Sequence, residues 1–413
     1  MEFIHYIFWI IASIILLFIV YLYFLAFISL LPRKKRKLKY PNNTRFAIII
    51  PAHNEAKVIQ KTLTSLKSLD YPKNSYDIIV ICDNCDDNTA QIVQRNEIRF
   101  FERVDKNRKG KGYALQWLFD KIKDDTRYDA FVIIDADSIV APNLLSILNQ
   151  KICEGARAIQ SFYDVINPEK SPMASLSYLG FLLSRNLRYK GRERLGWSTN
   201  LLGNGMCFSR DIISKYGWNA TSIVEDLEYG IMLHLNGVRV HFASEAKIYA
   251  EIPATFRDAK IQRTRWDIGK FHIRNKYALK LLKRWILKKD ISFLDSALEL
   301  LIPPYSLLLA VCFVLFGLFM LVSFDVRGLL FYLWLTIICS LILYTLLGLI
   351  VGKAKLDIYR NLVYAPFFII WRIVIVVKGL LVGNKGRWIK TQRKNSHNQY
   401  GLKQKRKRSL NVF

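Results

Sequence analysis

Three stretches of this chain carry almost no charge: residues 3–31, roughly 300–324 and roughly 328–352. Each exceeds the ~20 residues that an α-helix needs to cross a hydrocarbon core about 30 Å thick. Nothing else in the sequence restricts the fold so severely, because backbone polar groups in lipid must be satisfied within the protein. The first stretch has no basic region before it and no small-residue cleavage site after it, so it reads as an anchor rather than a signal peptide. It is followed by "RKKRKLK" at 33–39. By the positive-inside rule, residue 40 onward is expected in the cytoplasm, beneath the cell membrane. A fourth apolar stretch, 362–382, contains Pro366, Arg372 and Lys378, and charge facing lipid is costly. The tail, 383–413, holds ten Lys or Arg and no acid, which favours a cytoplasmic end. One anchor and two later spans satisfy that parity, so 362–382 is expected to be re-entrant or interfacial.

The formal net charge of +28 suggests anionic partners. The basic runs lie beside the apolar stretches, where each cation near anionic lipid contributes about 1 kcal/mol, and the same field attracts nucleotides. No zinc-knuckle or RNA-recognition pattern is present, so nucleic acid is not expected. Cys82 and Cys85 form a CxxC, but within "DNCDDNT" of a domain expected in the cytoplasm, where structural disulfides are rare.

Between residues 45 and 250 strand and helix patterns alternate. "RFAIII" (45–50), "DIIVIC" (77–82), "IRFFERV" (98–104) and "AFVIID" (130–135) read as strands, with helical spacing at 55–69, from "TAQIVQ", and at 112–122. Such alternation predicts a mostly parallel sheet with helices on both faces. Ligands of these sheets bind beyond the carboxyl ends of the strands, here the loops "PAHNE", "CDNCDD" and "DADS". From 254 to about 298 long segments rich in Arg, Lys, Trp and Ile resemble helices lying on the membrane surface.

Several short motifs could carry chemistry, and each has a plain structural alternative. Asp135 and Asp137 in "DADS" would share a divalent cation with substrate phosphates, or cap a helix. Gly110 and Gly112 flank Lys111 before a helix whose first amides attract anions, though an ordinary loop reads the same. In "GNGMCF" (203–208) the glycines suit a flat ligand or a tight turn. Arg263, Arg265 and Trp266 in "QRTRW" would clamp a diphosphate or belong to a membrane-interface belt. "SIVEDLEYGIML" (222–233) crowds Glu225, Asp226 and Glu228 into a basic chain, as a working acid–base group or a charged helix start.

The order of these pieces is more specific than any one of them. "IIIPAHNE", "DNCDDNT", "KGKGYAL", "DADS", "GNGMCF", "VED" and "QRTRW" together resemble the membrane-integrated family-2 glycosyltransferases, which include cellulose, hyaluronan and bacterial poly-N-acetylglucosamine synthases. The resemblance spans about 45–271, with matching membrane segments at both sides.

That resemblance implies an α/β GT-A domain at 45–253, after an anchor at 1–32. Interfacial helices at 254–298, membrane or re-entrant helices at 299–382 and a basic tail would complete the chain. It implies that Pro51, Glu55 and Asp83 hold the donor nucleoside, that Lys111 and Arg265 face its diphosphate, and that Asp135 and Asp137 bind Mg²⁺ or Mn²⁺. Asp226 corresponds to the catalytic base that deprotonates the acceptor hydroxyl. Glu225, Gln262, Trp266 and Gly205 would meet the acceptor, and Glu228 would be structural. Cys82 stands where the family often has a second aspartate, and Ser138 where cellulose synthases have His. No "FxVT" gating pattern follows residue 271, which argues against cellulose as the product. The expected function is metal-dependent, inverting transfer from a nucleotide sugar to a growing β-linked polysaccharide. UDP-N-acetylglucosamine and UDP-glucose lead as donors, ahead of GDP-mannose. Single transfer to a lipid-linked acceptor is the alternative, and a non-catalytic nucleotide-sugar binder a weaker one. Few membrane segments for a self-sufficient channel suggest an oligomer or an export partner.

Overall fold

The computed structural model describes residues 2–32, 39–323 and 328–382; most of the basic run after the first helix, and the tail, lie outside them. Eight strands form one sheet: β1 (Phe46–Ala52), β2 (Tyr76–Asp83), β3 (Arg99–Arg103), β4 (Ala130–Ile133), β5 (Ile139–Val140), β6 (Ala158–Val165), β7 (Met206–Ser209) and β8 (Val240–Ala250). Their order is β3-β2-β1-β4-β7-β6-β8-β5. The first four are parallel, as the alternation predicts. The other half makes the sheet a mixed one. β7 runs antiparallel between β4 and β6, β8 pairs parallel with β6, and β5 closes the edge antiparallel to β8.

β1 shows why its apolar run is continuous. Phe46, Ile48 and Ile50 pack with helices Ile59–Lys67, Thr89–Arg95 and Leu144–Cys153, while Ala47 and Ile49 pack with helices Lys111–Ile122 and Glu225–Leu235. A strand buried on both faces cannot alternate polar with apolar residues.

Among the described residues, four helices are long and apolar enough to cross a membrane, within Phe3–Leu30, Tyr305–Val322, Leu329–Val351 and Leu356–Val376. The last includes most of the expected re-entrant stretch, which is helical over Ala365–Val382. Its Arg372 does not face lipid: the side chain is buried and forks onto Asp267 at 2.8 and 3.1 Å. The first three of these helices pack together with Leu179, Leu182, Leu183 and Leu187. Those leucines come from the helix Pro172–Leu182 and the π-helical turns Leu183–Tyr189 that follow it.

A buried ionic cluster locks this bundle to the sheet domain. Arg192 donates to Asp295 at 2.9 and 3.0 Å, to Glu299 at 2.8 Å and to Tyr21 at 2.8 Å. Arg188 forks onto Glu299 at 2.8 and 2.9 Å. The acids come from the helix Ile291–Leu301, capped by Asp290. The helix before it, Phe256–Lys288, is capped by Thr255, and both lie where surface helices are expected.

Candidate active site

Asp226 sits in the first turn of the helix Glu225–Leu235. Two glycines fix where that turn stands. A Cβ on Gly112 would lie 2.8 Å from the Ala220 carbonyl oxygen, and one on Gly269 would lie 2.5 Å from Val224 Cγ1. Bare backbone at both positions lets the Lys111 helix and the long Phe256 helix press on the segment that delivers Asp226.

Asp226 Oδ1 accepts from the Leu227 amide at 2.8 Å. Its other oxygen faces Gly203, where a Cβ would stand 3.0 Å from Oδ2 and 3.7 Å from Lys111 Nζ. Gly203 has φ +75°, so a side chain there would be strained as well as obstructive. Lys111 Nζ donates to Asp135 Oδ1 at 2.5 Å and to the Gly203 carbonyl. Asn204, fully buried, ties the two turns together. Its Oδ1 accepts from the Asp135 amide at 3.2 Å and its Nδ2 donates to Ser138 Oγ at 2.8 Å. Lys111, Asp135, Gly203, Glu225 and Asp226 therefore form one group drawn from four separate loops.

Charge within this group is poorly solvated. Burial, followed by the Asp226 charge, pushes Glu225 up to about 7, with Lys111 and Arg265 opposing. Burial also raises Asp226, against its amide bond and the same two cations. Burial works against the Lys111 ammonium, but Asp135, Glu225 and Asp226 outweigh it and hold the group charged. Glu228 differs. It accepts from Lys276 at 2.7 Å and from Tyr277 at 3.1 Å, a structural role.

Gln262, Arg265 and Trp266, spaced i, i+3, i+4, share one face of the helix Phe256–Lys288. Arg265 Nε is buried without a hydrogen-bond partner. Trp266 meets Phe181 edge-on, with centroids 6.3 Å apart, and packs against the cluster around Val224.

The loops after β1 and β2 are stitched together. His53 Nδ1 pairs with the Asp83 carbonyl at 2.8 Å, the Glu55 amide donates to Thr89 Oγ1 at 2.9 Å, and the Ala56 amide donates to Asp87 Oδ2 at 3.1 Å. Pro51 is half-buried within β1. The Asp83 carboxylate is buried against Arg103 Nη1 at 2.5 Å, a partner with no motif to announce it. Gly205, expected at the acceptor, is instead buried. A Cβ there would collide with Ile248 Cδ1 at 2.5 Å and Ser161 Cβ at 2.9 Å, so its neighbour Gly203 is the glycine at the site.

Asp135 and Asp137 lie in a turn rather than in extended chain. Two carboxylates on one turn, one about a third open at 36%, form an all-oxygen set. Among the described residues no cluster of three or more His, Cys, Asp or Glu could hold a metal ion. Such a set fits Mg²⁺ or Mn²⁺, which takes its remaining ligands from water and substrate phosphates. All six cysteines are free thiols.

A parallel half-sheet with acidic loops at its carboxyl edge is joined to a basic helix and to apolar helices of membrane-spanning length. The family model described as "Glycosyltransferase like family 2" matches residues 41–269. The chain belongs to glycosyltransferase family 2. It is 27% identical over 382 residues to the "Probable glycosyltransferase YdaM" of Bacillus subtilis, covering 86% of this chain and 88% of that one. It is 27% identical over 250 residues to the beta-monoglucosyldiacylglycerol synthase of Trichormus variabilis, covering 58% and 51%. It is 25% identical over 229 residues to the poly-beta-1,6-N-acetyl-D-glucosamine synthase of Staphylococcus epidermidis, covering 54% and 54%. The chain thus spans about half the length of these last two relatives. Among solved structures, the mannosyltransferase PcManGT of Pyrobaculum calidifontis, in complex with GDP-Man and Mn²⁺, matches with TM-score 0.53 and 17% identity, covering 80% of this chain and 94% of that one. That likeness establishes the fold.

Proposed function

We propose that this protein is a membrane-bound, inverting glycosyltransferase that moves one sugar at a time from a nucleotide-sugar donor to an acceptor hydroxyl. The observation that carries the reading is the Asp226 carboxylate, held against Gly203 and flanked by Lys111 and Arg265. A sugar hydroxyl is a weak nucleophile at neutral pH and needs a base. Asp226 takes the hydroxyl proton as the acceptor oxygen bonds to the anomeric carbon. The bond from that carbon to the diphosphate breaks on the opposite face. A single displacement inverts the centre, so an α-linked donor gives a β-linked product. Lys111 and Arg265 stabilise the charge that develops on the leaving diphosphate. Asp135 and Asp137 would hold the divalent cation, which supplies further stabilisation of that charge. Glu225, half protonated near pH 7, offers the acceptor a hydrogen bond.

The motif order supports a growing polysaccharide as acceptor, and the poly-beta-1,6-N-acetyl-D-glucosamine synthase among the relatives supports N-acetylglucosamine as the sugar moved. A lipid-borne acceptor has its own observation. The helix that carries Trp266 is bolted to the last membrane-length helix by Asp267–Arg372, and Phe256 packs on Trp371 at 5.3 Å. The acceptor aromatic is therefore the sequence neighbour of a residue bonded to a membrane-length helix, and the beta-monoglucosyldiacylglycerol synthase is a relative whose name carries a lipid product.

Purified protein, Mg²⁺ or Mn²⁺, membrane lipid and a panel of labelled nucleotide sugars test this directly by sizing the product. High-mass label from one donor identifies polysaccharide synthesis, and a small lipid-extractable species identifies single transfer. Binding of a donor with no transfer to any acceptor would sink the reading.

A further inference from the structure

Arg185 is the least explained charge in the molecule. Its side chain is 1% exposed, and its Nε and Nη2 are buried with no hydrogen-bond partner. The guanidinium lies 4.0 Å from the Phe181 ring centroid and 4.8 Å from that of Tyr163. Cation–π contacts offset part of the burial cost, but they leave N–H groups without acceptors, a costly state in a low-dielectric interior. Burial pulls Arg185 down to about 10, with Tyr163 and Asp164 opposing, so the charge persists at neutral pH.

Its location joins the two halves of the site. Phe181 meets Trp266 edge-on, and Tyr163 lies close enough to Asp135 to feel its charge. The element that carries Arg185 is π-helical over Leu183–Tyr189, a geometry that recurs at functional sites because it re-aims a side chain. The opposite side of the same element is membrane-facing: Leu183 and Leu187 pack among the apolar helices, and a Cβ on Gly348 would stand 2.3 Å from Leu183 Cδ2. Arg185 is thus placed between the membrane bundle and the reacting groups.

We propose that Arg185 is a specificity-determining residue of the acceptor subsite, taking the phosphate oxygens of a lipid-borne acceptor between the aromatic walls of Tyr163, Phe181 and Trp266. An arginine fork matches phosphate geometry in two parallel hydrogen bonds. The phosphate arrives from the membrane side, since that is the layer on which the Arg185 element packs. Phe181 covers the guanidinium and swings aside as the phosphate enters. This rests on the glycosyltransferase reading of the site, but it is testable without turnover, so the two fail separately.

The test is the thermal shift of the full chain in neutral detergent, titrated with dodecyl phosphate or with inorganic phosphate. Wild type is expected to be stabilised by dodecyl phosphate at far lower concentration than by inorganic phosphate. Arg185→Met, which replaces an unpaired buried cation by an apolar chain of similar length, should fold with an unchanged or higher midpoint. It should bind dodecyl phosphate about tenfold more weakly or worse, the worth of a charged hydrogen bond. Arg185→Lys, which keeps the charge but not the fork, should fall between the two. Lys111→Gln, altered on the donor side, should keep the full shift. An undiminished response in Arg185→Met, or one lost only in Lys111→Gln, would overturn the proposal. Equal potency of inorganic and dodecyl phosphate would remove the lipid as the source and overturn it too.

Discussion

Two clusters of opposite charges, the buried one around Arg192 and the half-buried one around Asp226, are built in opposite ways. Around Arg192 every carboxylate is answered: Asp295 meets one fork of Arg192 and Tyr21, and Glu299 meets both Arg188 and Arg192. Around Asp226 the acids outnumber their bonds. Asp226 has one amide, and Lys111 is committed to Asp135 and the Gly203 carbonyl. Burial raises Asp295 in the first cluster as it raises Glu225 and Asp226 in the second, and Glu299 is the exception. In the first cluster burial works upward on Glu299, but Arg188 and then Arg192 prevail and hold it down to about 2. In the second, burial and Asp226 push Glu225 up to about 7. The cluster whose carboxylates are all paired ties the helices together, whereas the half-open one leaves Glu225 and Asp226 easier to protonate.

Removing the base is the sharpest way to break this contrast. Asp226→Asn is nearly isosteric and should fold as wild type, retain donor binding, and lose transfer by about 10²–10⁴-fold. Single-turnover rates and a donor-binding isotherm on the same preparation check it. Normal transfer by this variant would mean that Asp226 caps a helix and does nothing more.

The mirror-image change should affect stability and spare the chemistry. Glu299→Gln leaves Arg188 and Arg192 without their shared charge, and breaking a buried pair in this way costs about 3–5 kcal/mol. The thermal midpoint in detergent should fall clearly, while the rate per folded molecule stays within about twofold of wild type, since surviving structure carries an intact site. A rate loss without a stability loss would show that the two clusters are not separate.

How much of this contrast was legible in the sequence follows from the distance between partners. The parallel strands were readable because each is a local run, and the candidate site residues could be picked out because each sits in a short motif whose order is distinctive. Asp135, Lys111 and Asp226 meet as that order implies. The Arg192 cluster was invisible because "RNLRYKGRER" (185–194) reads as a solvated basic run, and its acids lie more than a hundred positions away. The antiparallel β7 has only four residues, too few for any periodicity to give direction. The exchange of Gly205 for Gly203 has a similar cause. Both have positive φ, and only the fold decides which one faces the carboxylate and which one packs under the sheet. Asp83 illustrates the limit of motif reading, since its buried partner Arg103 lies on the neighbouring strand and belongs to no recognisable pattern.

The smallest effect separates Glu225 from Glu299 by the sign of their pH response. A free glutamate titrates near about 4.3. Glu225 is raised to about 7, so between those values the native state holds a proton that the unfolded chain has released. Stability therefore falls as pH rises through that window. Glu299 is lowered to about 2, so its contribution is complete above about 4.3 and is lost only as pH falls towards 2. From pH 5 to pH 7.5 Glu299 is thus silent, whereas Glu225 contributes a downward slope. Glu225→Gln should flatten the decline of thermal midpoint across this range, and Glu299→Gln should shift the whole curve down without changing its slope. If Glu225→Gln left the slope untouched, the proton on this carboxyl would not be part of the native state, and its hydrogen bond to the acceptor would have to be abandoned.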